Sequence, residues 1–161
     1  PFQQRVKRLG DNIKPATLLA IAGDATRGEQ LFRQNVTAQC KTCHRIGDAG
    51  GQLGPELTQI AKRLSKAQLL ESILEPNKTI DPKYVTQLIL LNDGRTFTGV
   101  VTSKGDREIV LRDAADKEHK IAIADIDEQS QQPQSLMPAG LLRDVTAEQA
   151  ADLLEYLSSL K

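Results

Sequence analysis

A chain of 161 residues is long enough for one domain, or for one domain carrying an insertion. Lys plus Arg and Asp plus Glu both total 21, so no net charge draws it to nucleic acid or to an anionic membrane. No apolar stretch approaches the ~20 residues of a membrane span. Aromatic residues make up 3% and Trp is absent, a thin supply of large apolar groups for a core of this size.

Residues 1–22 read as an N-terminal helical segment or linker. Val6, Leu9 and Ile13 lie at helical spacing, and Pro15 can open a second short helix that Gly23 closes. The chain starts at Pro1 and shows no signal peptide, so it is expected to be a mature fragment or an excised piece. Asp24 is the expected N-cap of the next helix. Gly28, Phe32 and Val36 recur on one face of it. Glycine inside a helix costs about 1 kcal/mol against alanine, so Gly28 on the Phe32 stripe suggests a close crossing by another helix.

Cys40-Lys41-Thr42-Cys43-His44 follows directly. This C-x-x-C-H run reads as an attachment site for one c-type haem. Two thiols three positions apart can reach the two vinyl groups of a porphyrin, and the adjoining histidine can ligate its iron. A buried porphyrin would also make up for the missing aromatics. A redox-active C-x-x-C pair needs no following histidine and favours a βαβ context, which is not evident here. Zinc wants four ligands, and beyond the motif the chain offers only the distant His119.

A Gly-rich loop runs from Gly47 to Gly54 and ends in Gly54-Pro55-Glu56-Leu57. Two short helices are expected near 57–64 and 66–75. Ser65 caps the second, and Leu69, Leu70, Ile73 and Leu74 form its apolar stripe. Glu75-Pro76 ends it. The texture then turns to β: strands are expected at Tyr84–Leu91, Thr96–Thr102, Glu108–Arg112 and Glu118–Ala124, with Asn92-Asp93-Gly94 as a hairpin turn. This antiparallel meander, an insertion at about 83–127, should curl into a small barrel or lie against the helices. Residues 127–135 read as polar loop, followed by Leu136-Met137-Pro138. Thr146 and Gln149 form a capping box for a last helix, with Ala150, Leu153, Leu154, Leu157 and Leu160 on one stripe.

The helical parts resemble a small cytochrome c. The resemblance rests on the helix bearing Gly28 and Phe32, the haem motif, Gly54-Pro55-x-Leu57, Met137-Pro138 and the last helix with Tyr156. It implies that Gly28 crosses the face of Leu153, Tyr156 and Leu157. It also implies that the Pro55 carbonyl accepts the Nδ1–H of His44, which orients the ring and raises its basicity. Four stretches narrow the match: Leu70-Glu71-Ser72-Ile73-Leu74-Glu75-Pro76-Asn77, Ile80-Asp81-Pro82, Asp93-Gly94-Arg95, and Ser135-Leu136-Met137-Pro138 with Gly140-Leu141-Leu142. Together they are similar to the planctomycete haem-binding domain of the Pirellula/Verrucomicrobium type. That family implies a mainly α fold, a cytochrome c-like helical core at 23–161 with an inserted antiparallel β meander or barrel. It also implies a domain at the C-terminal end of a larger exported protein, in which sugar-dehydrogenase-like propellers or helical repeats precede it, residues 1–22 then being the tail of that upstream region.

Two residues compete for the sixth iron position. Met137 is the only methionine, sits in a loop before proline, and lies where the family places its ligand. His119 alternates with Ile121 and Ile123, and its bland reading is a rim or surface histidine. His44/Met137 ligation raises the reduction potential relative to two histidines and leaves no open position for substrate. The expected function is therefore one-electron transfer rather than enzyme catalysis. The donor would be an attached or partner dehydrogenase and the acceptor a downstream carrier, in the periplasm or another exported compartment. A monomeric domain is the default. Leu57, Ile60, Leu64, Leu136 and Leu141 are candidate haem-pocket walls, and Gly50, Gly51 and Gly54 should let the backbone run close to the porphyrin. The alternative is a haem-based sensor or gas-binding module whose Met137 is displaceable, with the β insertion pulling on its loop. The plainer reading of the insertion is a docking surface or lid.

Overall fold

Residues 6–34 and 38–161 are described by the computed structural model, so Val36 of the expected helical stripe lies outside the described residues. Pro15 occupies the first turn of α1 (Pro15–Leu19), where its missing N–H costs nothing. Residues 6–14, before it, do not form the expected helix. Arg8 bridges Thr146, Leu9 N–H donates to the Val145 carbonyl at 2.9 Å, and Gly10 N–H donates to the Arg143 carbonyl at 2.9 Å. Gly10 has φ +69°, a left-handed conformation that interrupts the helical pattern of Val6, Leu9 and Ile13. Leu9 and Ile13 pack instead against the helical core.

Asp24 caps α2 (Ala25–Gln34), its carboxylate accepting the Arg27 N–H at 2.9 Å. A single turn, α3 (Cys40–Cys43), carries the two cysteines. A tiny hairpin follows, β1 (Arg45–Ile46) against β2 (Ala49–Gly50), inside the loop expected to be irregular. The helix expected near 57–64 is reduced to a 3-10 turn at Ile60–Lys62. The Ala61 N–H, which an α-helix would give to Leu57, donates instead to the Leu160 carbonyl at 2.9 Å. A tertiary hydrogen bond thus displaces the local one. α4 (Lys66–Leu74) begins with the capping box of Ser65 and Gln68. α5 (Ala147–Ser159) begins with that of Thr146 and Gln149.

The helices share one apolar cluster. Leu18, Phe32, Ile60, Leu69, Leu70, Leu142, Val145 and the inner face of α5 are buried in it. α5 is the most enclosed element, with Ala150 to Leu154, Tyr156 and Leu157 all buried. Phe32 and Tyr156 meet with ring centroids 6.0 Å apart and tilted by 57°, a favourable edge-on geometry.

The meander is a five-stranded antiparallel sheet: β3 (Thr86–Leu91), β4 (Thr96–Lys104), β5 (Glu108–Arg112), β6 (Glu118–Ala122) and β7 (Ile126–Gln131). Its spatial order is β6-β5-β4-β3-β7. Strand β7 corrects the expected loop at 127–135. Its residues are nearly all polar because it is an edge strand, held mainly by backbone pairing with β3, with Ile126 packed against the sheet core. The outer strands β6 and β7 are joined by a three-residue 3-10 turn, Ile123–Asp125. A flat sheet would hold them about 19 Å apart, four strand spacings. The four steps from Ala122 to Ile126 reach at most about 14 Å. The sheet is therefore rolled, and irregular registers at Leu90/Leu91 and Val101/Ser103 help it curl.

The sheet has its own core of Ile89, Leu91, Ile109, Leu111 and Ile121, separate from the helical one. Strand accounts for 24% of the structure and helix for 33%, so the sheet is a larger partner than a mainly α description suggests. Among the described residues no helix is long and apolar enough to cross a membrane.

Candidate functional site

The site starts with Gln39, in the left-handed region at φ 48°, which turns the chain into α3. Cys40 opens that turn, Cys43 closes it, and His44 leaves it with extended backbone while its N–H still bonds the Cys40 carbonyl at 2.9 Å. One turn of helix thus presents two thiols and an imidazole within five consecutive residues. Burial pushes the Cys40 thiol up to about 11. Burial, reinforced by the charge of Asp116, also raises Cys43. In this environment both side chains are neutral thiols.

His44 Nδ1 lies 2.8 Å from the Pro55 carbonyl oxygen. A carbonyl can only accept, so Nδ1 carries the proton and Nε2 keeps its lone pair. Burial favours the neutral ring and lowers its pKa, with the Pro55 bond opposing. An imidazole with one nitrogen donated and the other free is oriented as a metal-binding histidine can be.

The loop after the motif folds back onto it. Gly51 N–H donates to the Lys41 carbonyl at 2.9 Å, Gly54 N–H to the Cys43 carbonyl at 2.8 Å, and Leu57 N–H to the Arg45 carbonyl at 2.9 Å. Arg45 and Glu56 pair at 2.9 Å across the same loop. The glycines serve these protein contacts rather than simply leaving backbone near a porphyrin. A Cβ on Gly54 would stand 2.7 Å from His44 Cε1 and 2.9 Å from Nδ1. One on Gly51 would stand 2.7 Å from the carbonyl carbon of Thr42. Gly50 has φ +123° and presses on the His44 carbonyl. This cradle fits a haem-attachment motif: two thiols, an oriented imidazole, and small residues where the ring must be approached.

The expected wall residues divide into two groups. Ile60 is buried in the helical core, and Leu57 and Leu64 pack against it. Leu136 and Leu141 are half-buried and belong to neither apolar cluster. Met137 is half-buried too. Its loop is built by two short bonds: Met137 N–H donates to Ser135 Oγ at 3.1 Å, and Ser135 N–H to Asn77 Oδ1 at 2.7 Å. Asn77 stands just beyond α4, so the end of that helix fixes the start of the methionine loop. His119 is committed elsewhere. Its Nε2 lies 2.6 Å from Asp113 Oδ2, and its ring lies 4.9 Å from that of Phe97. That is the position of a sheet histidine with a partner.

Sequence reasoning missed three participants. Asp152 is buried in α5 and accepts from the Asp24 N–H and from Arg27, tying α5 to the start of α2. Asn77 anchors the methionine loop. Asp116, in the turn between β5 and β6, accepts from the Gln52 N–H at 3.3 Å beside the motif. Only the turn itself was legible for Asp116. Its partner lies 64 positions away, beyond the reach of any local pattern.

A family model described as Cytochrome c matches residues 25–97. That span runs from the first residue of α2 into β4 and contains Cys40, Cys43, His44 and Pro55. It stops short of Met137 and α5. The match supports a cytochrome c-like domain, and with it covalently bound haem c and haem-based electron transfer through redox partners. A search of curated proteins returns no match.

Proposed function

We propose that the chain is a single-haem, His44/Met137-ligated c-type cytochrome domain of the Pirellula/Verrucomicrobium type, working as a one-electron carrier. The observation that carries this reading is the His44 Nδ1 to Pro55 carbonyl bond at 2.8 Å, on the residue that directly follows a turn bearing two thiols. It keeps Nε2 free as a ligand and holds the ring at one angle. Cys40 and Cys43 would hold the porphyrin through thioethers, and Met137 Sδ would take the sixth position. Haem supplies the one-electron couple when bound. The chain's own residues orient the imidazole, and His44 and Met137 would hold the iron between them.

Leu57, Ile60, Leu64, Leu136 and Leu141 are the proposed apolar walls. The thioether of Met137 favours the reduced iron and sets the potential above that of a bis-histidine site. Held by His44 and Met137, the iron would change oxidation state with little rearrangement and would leave substrate no place to bind. Residues 23–161 form the working domain with the sheet inserted, and residues 1–22 lead into it. The electron donor is an attached or partner dehydrogenase and the acceptor a second carrier. Thioether formation outside the bacterial cytoplasm would make the domain periplasmic or otherwise exported.

The pyridine haemochrome of the purified domain tests the attachment. One haem per chain with two thioethers is expected, together with its loss from the Cys40→Ala, Cys43→Ala double variant. Haem that extracts into acidified organic solvent would overturn the reading.

A further inference from the structure

The helical part and the sheet have separate apolar cores. Away from the two places where the chain passes between them, the described residues join them by one hydrogen-bonded contact, between Asp116 and Gln52. The Gln52 N–H is shared by the two carboxylate oxygens of Asp116, at 3.3 and 3.5 Å. Gln52 lies in the loop that Gly51 and Gly54 pin to Lys41 and Cys43.

Both sides are shaped for this approach. Asp116 has φ +61°, an uncommon left-handed conformation for a residue with a side chain. Arg112 supports it, with Nη1 2.9 Å from the Asp116 carbonyl and 3.2 Å from its carboxylate. Arg112 Nη2 is held in turn by Glu118. The Arg112 side chain is only 12% exposed, so packing helps to hold it in place. On the other side, a Cβ on Gly51 would stand 3.2 Å from Asp116 Oδ2.

We infer that the β5–β6 turn is a clasp on the haem-attachment loop, with Asp116 as a positioning residue that also lowers the haem potential by its charge, and Arg112 as its anchor. The sheet is then part of the haem site rather than an appendage. The inference rests on the haem reading for its electrostatic half alone, because the clasp itself is a protein–protein contact. A fixed negative charge beside the attachment loop stabilises the oxidised iron, and a positive one the reduced iron.

The test uses Asp116→Asn, Asp116→Ala and Arg112→Met in the full domain, read by amide hydrogen exchange and by redox titration. Asp116→Ala should speed exchange at Gln52 about tenfold, the loss of one hydrogen bond, while the Leu154 amide in α5 stays as slow as before. Asp116→Asn should raise the potential, and Arg112→Met should lower it although it too loosens Gln52. Opposite shifts from two variants that loosen the same loop would separate charge from mere loosening. Unchanged Gln52 exchange in Asp116→Ala, or shifts of the same sign in Asp116→Asn and Arg112→Met, would overturn the inference. A wild type without covalent haem would defeat the haem reading while leaving the Gln52 measurement to decide the clasp.

Discussion

Gly28 in α2 lies directly on the backbone of Asp152 in α5: a Cβ there would stand 2.6 Å from the Asp152 carbonyl carbon and 2.7 Å from Tyr156 Cβ. These two helices, one on each side of the cysteine motif and the sheet in sequence, therefore cross at contact distance, and only glycine permits it. Gly28→Ala should lower stability by about 1–3 kcal/mol, the usual cost of overpacking. Urea denaturation of wild type and variant measures it, and equal stabilities would show that the crossing yields freely.

Beside that crossing, Asp152 is buried against the partly exposed Arg27, Nε to Oδ2 at 2.7 Å, and also accepts the Asp24 N–H. The Arg27 hydrogen bond, helped by the Asp24 bond and the Arg27 charge against the cost of burial, holds the Asp152 carboxyl below its ordinary 3.8. A depressed carboxylate contributes stability above its unfolded pKa and loses it as pH falls through the folded one. Asp152→Asn should therefore be less stable than wild type at pH 7. The gap should close on acidification below about 3.8. Thermal melts from pH 7 to pH 2 read the difference, and a gap constant across that range would contradict the assignment.

Gly54→Ala acts on the proposed iron ligand itself. The new methyl would meet the His44 ring within 2.9 Å and push it off the Pro55 carbonyl. Relief of such a clash typically costs about 1–3 kcal/mol. The variant should hold less low-spin haem than wild type, seen in the Soret region, with part of the iron turning high-spin. A wild-type spectrum would mean that the ring tolerates the methyl and that its angle is set elsewhere.

What the sequence makes legible is what is encoded locally. The Asp24 cap, the boxes at Ser65–Gln68 and Thr146–Gln149, and the apolar stripes of α4 and α5 depend on residues three or four apart. The hairpin strands β3 to β6 are legible for the same reason, through alternation and turn residues. The errors arise where distant partners decide. Ala61 gives its N–H to Leu160, so the helix near 57–64 shrinks. Leu9 and Gly10 pair with Val145 and Arg143, so residues 6–14 do not form a helix. β7 carries almost no apolar pattern, because this edge strand is held chiefly by its backbone pairing with β3. The site divides in the same way. Cys40, Cys43 and His44 stand in one pentapeptide, whereas Asp116 reaches the following loop from the β5–β6 turn, a contact that no local pattern encodes.

The optical spectrum of the purified domain, oxidised and reduced, across the visible and near-infrared, tests the central claim most directly. His44/Met137 ligation predicts a low-spin spectrum in both states and a near-infrared sulfur-to-iron band in the oxidised one. Met137→Ala should abolish that band and His119→Ala should keep it. A high-spin spectrum, or a low-spin one without the band, would contradict the account and leave the iron open or bound by nitrogen.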